Sequence, residues 1–273
     1  MEPPRTEHLL LGRRPRVTER LFETAVRLSA FVVVAAVVLI FVFVAKEALP
    51  ILTSSEVHNE VTLWTMIRPQ EGGSYTWQPV AETPKYSLLP LMVGTLKVTV
   101  VALVIAIPLA LLAAIFTSEF APQHLRELTK PVVELLAGMP SVVIGFFALM
   151  VVASWVQDAF GLVFRLNAIT AGIGLSLAVI PIVYTVAEDA LSAVPQAFRD
   201  GSMALGANRW QTAWRVVLPA AMPGVFAACV LGFGRAIGET MIVLMASGNA
   251  AMMSFDPTVS FRSFSATIAA ELG

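Results

Sequence analysis

Arg235 and Glu239 are the two side chains whose types and spacing best suit chemistry. Both stand inside an otherwise apolar run, Val225 to Leu244. An ionisable group at membrane depth is costly, so each needs a partner or a role. Four residues apart on a helix, they share a face and can neutralise one another. Two readings fit. The pair is an internal tie that holds helices together, or Arg235 faces a water-filled pathway and meets a passing anion, with Glu239 holding the guanidinium until the anion displaces it. A guanidinium presents a rigid fork of donors that matches an oxyanion. Gly234 and Gly238 flank the pair at a spacing that admits a close helix neighbour.

A second stretch, Gly201 to Pro219, is polar enough to need water yet lies between two apolar segments. Pro195 suits the first position of a helix that runs to about Leu205. Gly206 then falls where a left-handed residue ends a helix. Asn208 can cap a second helix, with Gln211 three residues on. Trp210, Ala213, Trp214 and Val217 make one apolar stripe at helical spacing. Pro219 ends that helix. The pattern predicts a helix–glycine–helix hairpin at a membrane face. It is either a docking element for a soluble partner or an interfacial helix pair resting among headgroups.

The elements that must position these residues follow from composition. The chain has 273 residues, 57% hydrophobic and only 14% charged. A soluble domain carries about 25% charged residues, so the deficit predicts a polytopic membrane protein. A crossing helix needs about 20 mainly apolar residues. Five stretches come near that: Leu28–Ala45, Leu89–Phe116 (the span proper near Val98–Phe116), Leu135–Val156, Ile169–Ala187 and Val225–Leu244. Unpaired backbone groups are costly in lipid, so each is expected to be helical, giving an all-α membrane helix bundle of five spans. The first run is longer than a signal-peptide core and lacks a good cleavage site, so it reads as a retained span. Pro108, Pro140 and Pro181 mark bends within the apolar runs or at their edges.

Lysine and arginine in short loops orient the bundle. Residues before the first span hold Arg5, Arg13, Arg14, Arg16, Arg20 and Arg27. The segment 117–134 holds Arg126 and Lys130, and 188–222 holds Arg199, Arg209 and Arg215. The opposite loop, 157–168, holds only Arg165. The N-terminus and the hairpin are therefore expected in the cytoplasm. The expected organisation is a cytoplasmic tail 1–27, a first span 28–45, a periplasmic loop 46–87, a core 88–247 containing the cytoplasmic loop 188–222, and an external stretch 248–273. In the outer loop, Trp64, Tyr75 and Trp77 suit the headgroup level. Lys97 is expected to snorkel to the outer surface, or to attract anions at the outer mouth. Glu188 and Asp189 read as a solvated helix end.

Several functions lack their residues. No phosphate-binding loop of the form GxxxxGK[ST] occurs, so the chain is not expected to bind ATP itself. No paired-carboxylate site, Ser/His/Asp set or metal-ligand spacing is present, and neither an enzyme activity nor a cofactor is expected. Cys229 lies in an apolar run as a small core residue. A net charge of −1 gives no field to recruit nucleic acid.

The loop resembles that of permease subunits of ATP-driven (ABC-type) importers, whose pattern is EAA-x3-G-x9-I-x-LP. This chain has Asp200, Gly201 and Ser202, then Gly206 after three residues, then Val216, Leu218 and Pro219 at the matching places. An acid is kept at the first place, Gly201 and Ser202 replace two alanines, and Val216 replaces isoleucine. The resemblance implies a coupling helix at 195–205 that sits in a groove of a separate ATPase subunit. Three further stretches resemble the phosphate importer branch of that family, PstC-type rather than PstA-type: Val93 to Leu96 (VGTL), Glu134 to Val143 (ELLAGMPSVV) and Gly232 to Met241 (GFGRAIGETM). The resemblance covers about residues 20–273. It implies the ABC importer permease fold in a bacterial inner membrane, a PstA-type second permease subunit, PstB-type ATPase subunits and a PstS-type external phosphate-binding protein. It also implies a role for Arg235 and Glu239 in the phosphate pathway. Family members carry a sixth span after a stretch like Ala266 to Gly273 (ATIAAELG), so a truncation before that span is expected. Two alternatives remain: a permease for another anion such as sulfate or molybdate, or a membrane sensor or assembly protein whose hairpin docks a cytoplasmic regulator.

Overall fold

The computed structural model describes residues 17–54, 61–62, 64–69 and 73–271. The arginines at 5, 13, 14 and 16 lie outside the described residues. The chain divides into two units, Met1–Leu63 and Trp64–Gly273. In the first, helix α1 runs Val17–Ala48 and a further helical turn covers Pro50–Thr53. The helix thus starts at Val17, well before the expected span at Leu28. Its central apolar window is apolar on every face, which suits lipid.

The second unit is a helix bundle. After a short antiparallel hairpin of β1 (Trp77–Gln78) and β2 (Lys85–Tyr86) comes α2 (Leu89–Phe120), which ends in a π-helical turn at Phe116–Phe120. Then follow α3 (Gln123–Ala137), α4 (Ser141–Phe160), α5 (Ala168–Ser192), α6 (Gln196–Ala204), α7 (Arg209–Ala220), α8 (Met222–Ile237), α9 (Met241–Ala246) and α10 (Phe264–Glu271). Among the described residues four helices, α1, α2, α4 and α5, are long and apolar enough to cross a membrane. A fifth crossing arises if α7 and α8, bent by 72° against each other, count as one broken span.

Helix α5 is the axis of the unit, with α2 and α8 packed along it and α3, α4 and α9 touching it. Small residues make this possible. Val98, Ala102, Ala106, Ala110 and Ala114 recur every fourth position on α2 and are all buried. They form one smooth face against Ala171, Leu175, Val179 and Val183 of α5. Lipid is as apolar as leucine, so helix association depends on close van der Waals packing rather than on burial from water. Outward-facing Val104, Leu109, Leu112 and Phe226 stay exposed and apolar. The start of α5 is set by Asn167, whose Oδ1 accepts from the amides of Ile169 and Thr170.

Two expected spans are interrupted. The run Leu135–Val156 breaks at Gly138–Pro140, so the membrane-length helix begins at Ser141 and Leu135 belongs to α3. Proline has no amide hydrogen and disfavours helical geometry in the residue before it. The run Val225–Leu244 breaks between α8 and α9, at Gly238, Glu239 and Thr240. By contrast Pro108 and Pro181 lie within unbroken helices. The stretch 248–271 is no free tail. Phe261 is buried, the Phe264 amide donates to Thr95 Oγ1, and the Ser265 hydroxyl donates to the Glu239 carbonyl. Lys97 does not reach freely outward. Its ammonium donates to the carbonyls of Ser254 and Asp256 at 3.1 and 2.9 Å and fastens this stretch to α2. Nearby, Asp256 is held below the usual carboxylate range by hydrogen bonds from the Thr258 hydroxyl and amide. Trp77 turns its indole N–H to Glu271 and its ring edge to Tyr86.

The close-packing glycines on α8 are Gly224, against Ala190 of α5, and Gly232, rather than the Gly234/Gly238 pair. A Cβ at Gly232 would come within 2.5 Å of Val183 Cγ2, whereas one at Gly234 would meet nothing within 4 Å. Gly232→Val is expected to lower bundle stability by about 1–3 kcal/mol through overpacking, with Gly234→Ala near neutral. Thermal unfolding of the detergent-solubilised chain, followed by circular dichroism, checks the contrast.

Candidate functional site

Two regions hold the residues singled out in the sequence, and they lie at different ends of α8. At the first, the hairpin, Pro195 is the N-cap of α6 rather than its first residue. Gly206 has φ +86°, the left-handed geometry its position predicted. Asn208 and Gln211 form a reciprocal capping box at the start of α7. The Ser202 and Thr212 hydroxyls meet at 2.9 Å and bind α6 to α7. Asp200 accepts from the Gln196 amide at 3.1 Å and is exposed. Gly201 faces open space. Leu218 packs against the core, and Pro219 is exposed beside the bend into α8. Of the predicted apolar stripe, Ala213 and Val217 are buried while Trp210 and Trp214 stay exposed. A π-helical turn at Ala213–Val217 shifts the face that the stripe presents.

The outer side of the hairpin is apolar where water would favour polar groups. Leu205 is 91% exposed and Phe198 55%. Between them lies a shallow groove of about 590 Å³, floored by Gly201 and Gly206 and edged by Gln211 and Arg215. No residue of α6 is buried.

Charged residues hold the hairpin and its neighbours. Arg199 on α6 reaches Glu119 on the π-helical turn ending α2, with Nη2 at 2.7 Å from Oε1 and Nε at 3.1 Å from Oε2. Its Nη1 and Nη2 also donate to the carbonyls of Val194 and Leu191, at the end of α5. Glu188 is not the solvated helix end that its sequence position suggests. Its side chain is 1% exposed and accepts from Arg126 at 2.7 Å, Lys130 at 3.1 Å and Ser192 at 2.9 Å. This joins α3 to α5. The Glu188 carboxylate pushes the Lys130 ammonium above the ordinary lysine value, by its hydrogen bond first and its charge second.

At the second region, Arg235 and Glu239 form an ion pair at 2.5 Å. They do not sit on one continuous helix. Arg235 is in the last turn of α8, and Glu239 lies in the break before α9. The carboxylate is buried, at 2% exposed, and its Oε1 also accepts from the Ile242 amide at the start of α9. The guanidinium is 37% exposed. One partner is therefore fixed inside while the other keeps an open side.

The residues 106–270 match the family model described as the binding-protein-dependent transport system inner membrane component. The chain is 35% identical over 92% of its length to the probable ABC transporter permease protein YqgH of Bacillus subtilis, covering 79% of that protein. It is 38% identical over 60% of its length to the phosphate transport system permease protein PstC 1 of Mycobacterium bovis. It is 33% identical over 68% of its length to PstC of Pasteurella multocida. The chain spans only 54% of the mycobacterial relative and 65% of the Pasteurella one. Among solved structures, the methionine ABC transporter MetNI in inward-facing conformations is matched at TM-score 0.46 and 19% identity, over 60% of this chain and 73% of the other. A multi-pass helix bundle with a helix–glycine–helix hairpin is the architecture of a transport permease. This chain belongs to the family of inner-membrane permease components of binding-protein-dependent ABC transporters.

Sequence reasoning missed Glu119, Arg199 and Glu188 as partners. Arg199 adjoins the motif at Asp200, but nothing local to Glu119 marks it. The raised Lys130 value carries a pH signature. Its contribution to holding α3 is fully present below 10.5, the ordinary value, and disappears as pH rises through the elevated one. The Lys130 side chain is 48% exposed, so screening keeps the effect to a fraction of a kcal/mol or about 1 at most. The melting-temperature gap between wild type and Lys130→Met is expected to stay constant through neutral pH and to close above 10.5.

Proposed function

We propose that the chain is the transmembrane permease subunit of an ATP-driven phosphate importer, with its N-terminus and hairpin in the cytoplasm. The hairpin Gln196–Ala220 docks a separate ATPase subunit through Phe198, Leu205 and the groove beside Gly201 and Gly206. The observation that carries this reading is an exposed apolar hairpin fastened to the bundle by charge. A lone interfacial helix pair needs no such fastening. Asp200, Gly201, Ser202, Gly206, Leu218 and Pro219 stand at the family's coupling positions and serve here to shape and end the two short helices.

Phosphate as the solute is supported by the relatives named for phosphate transport and by Arg235. Its guanidinium has an open side and a planar fork suited to a tetrahedral oxyanion. Glu239, held in place by the start of α9, orients that fork. An arriving anion takes the free donors without having to displace the buried carboxylate first. The full transporter then contains a second permease subunit, a pair of ATPase subunits and an external binding protein that delivers the anion. ATP binding closes the ATPases and moves the hairpin, which switches the pathway between two packings of the helices.

Two measurements test this. Arg235→Lys keeps a charge against Glu239 but loses the fork, and phosphate uptake is expected to fall roughly tenfold at an unchanged protein level. Arg235→Gln is expected to abolish uptake, and normal uptake in that variant would remove Arg235 from the pathway. For the hairpin, Gly206→Pro cannot adopt φ +86°, because proline locks φ near −65°. Recovery of the ATPase subunit in a pull-down is expected to drop sharply, and equal recovery with wild type would refute docking at this hairpin.

A further inference from the structure

The hairpin has little apolar packing to hold α6 in place. No residue of that helix is buried, and the face at Gly201 opens to solvent. Apart from its chain connections to α5 and α7, the side-chain hydrogen bonds that tie it to the rest of the unit, among the described residues, come from Arg199 to the bundle and Ser202 to α7. Arg199 is the more far-reaching. Its single planar group bonds a carboxylate on the last turn of α2 and two carbonyls at the end of α5. All three of its nitrogens are engaged, so the guanidinium cannot swivel without giving up bonds. The pair is enclosed, with Arg199 13% and Glu119 8% exposed. In such surroundings, separating the partners leaves two poorly solvated charges.

Movement of α6 must therefore carry the ends of α2 and α5 with it. The Ser202–Thr212 bond and the capping box make α6 and α7 move as one body. Helix α7 continues through the 72° bend into α8, which carries Arg235. The hairpin is thus joined covalently to α8 and, through Ala193–Pro195, to α5; to α2 it is joined by the Arg199–Glu119 charge pair and by a ring contact between Trp210 and Phe120. The shafts of α2, α5 and α8 are held by small-residue packing elsewhere and do not need the Arg199–Glu119 pair to assemble.

We propose that Glu119 and Arg199 form the strut that turns movement of the hairpin and the adjoining end of α5 into movement of α2. Glu119 is then a positioning residue for transport. Without its charge, the ATPase still docks and still hydrolyses ATP, but the hairpin slides over the bundle and solute is not moved. The inference rests on the hairpin being the ATPase-docking element.

The test uses the chain reconstituted in vesicles with the second permease subunit, the ATPase subunits and the external binding protein. Inorganic phosphate uptake and ATP hydrolysis are measured in the same preparation, because their ratio does not depend on how much folded complex is present. Glu119→Gln is expected to lower phosphate moved per ATP by at least about tenfold while ATP hydrolysis continues. A wild-type ratio in that variant overturns the strut, and so does a parallel loss of both activities, which marks a merely structural tie. If Glu119→Gln does not assemble, Arg199→Lys decides. It keeps the charge but cannot bridge the carboxylate and both carbonyls, so the ratio is expected to fall several-fold, and an unchanged ratio overturns the proposal. Loss of the ATPase subunit from wild-type vesicles would instead overturn the docking reading, and the strut with it. Retained ATPase with an unchanged ratio overturns the strut alone.

Discussion

A carboxylate in an apolar bundle must find a cation, and that requirement decides how the helix ends of this protein are joined. Glu119, Glu188 and Glu239 are each almost wholly enclosed, and each meets an arginine. None lies mid-shaft. Glu119 sits where α2 ends, Glu188 near the end of α5, and Glu239 in the break between α8 and α9. Desolvating a charge is expensive, and the attraction repays it only with good geometry and further hydrogen bonds. Each of these carboxylates takes part in more than one such bond. Their joints are consequently specific: the partners fit in one arrangement, and a shifted one strands a charge.

The shafts obey a different rule. Ala102, Ala106, Ala110 and Ala114 on α2, with Gly172 and Gly174 on α5, leave no room for larger side chains. Contacts of this kind are short-ranged and many, so they resist separation but not small sliding along the helix axis. A bundle with smooth shafts and charged joints is suited to moving as a set of rods. The three π-helical turns, at Phe116–Phe120, Ala148–Val152 and Ala213–Val217, loosen the backbone ladder at points along those rods. The second is steadied by Arg165, whose guanidinium donates to the Leu149 carbonyl.

The hairpin was legible in the sequence because its signals are local. Gly206 can be read as left-handed from its neighbours, and Asn208 with Gln211 is a cap whose two halves lie three residues apart. The existence of the apolar helices was legible for the same reason, but their limits were not. Leu135 and Leu136 are apolar whether they cross a membrane or line one face of α3, so the run hides the break at Pro140. At Gly238 the only polar residues between α8 and α9 are Glu239 and Thr240, and the i,i+4 spacing of Arg235 and Glu239 reads as a pair on one continuous helix. The charged joints were the least legible. Arg199 and Glu119 are 80 positions apart, and only the packing of α2 beside α5 brings them together. Glu188 looked solvated because it stands beside another acid, Asp189, near a helix end, whereas α3 covers it in space. Gly234 and Gly238 match a packing motif by spacing, yet Gly232 faces Val183, because the direction of a helix face is a tertiary property.

The same distinction bears on the pair that first drew notice. Had Arg235 and Glu239 stood on one unbroken helix, both would share a face and an environment, and an anion reaching one would reach the other. The break at Gly238 separates their surroundings. Glu239 accepts the Ile242 amide and turns inward, while Arg235 at the end of α8 keeps more than a third of its side chain open. A buried carboxylate beside a half-open guanidinium makes the site net cationic only on its open side. Repulsion from the carboxylate is muted there because its charge is already spent on Arg235 and an amide. On the proposed reading, such a site attracts an oxyanion and still lets it leave, since Glu239 keeps its hold on the guanidinium throughout and the anion meets only the open side. Weak, reversible capture is what a pathway requires of its residues.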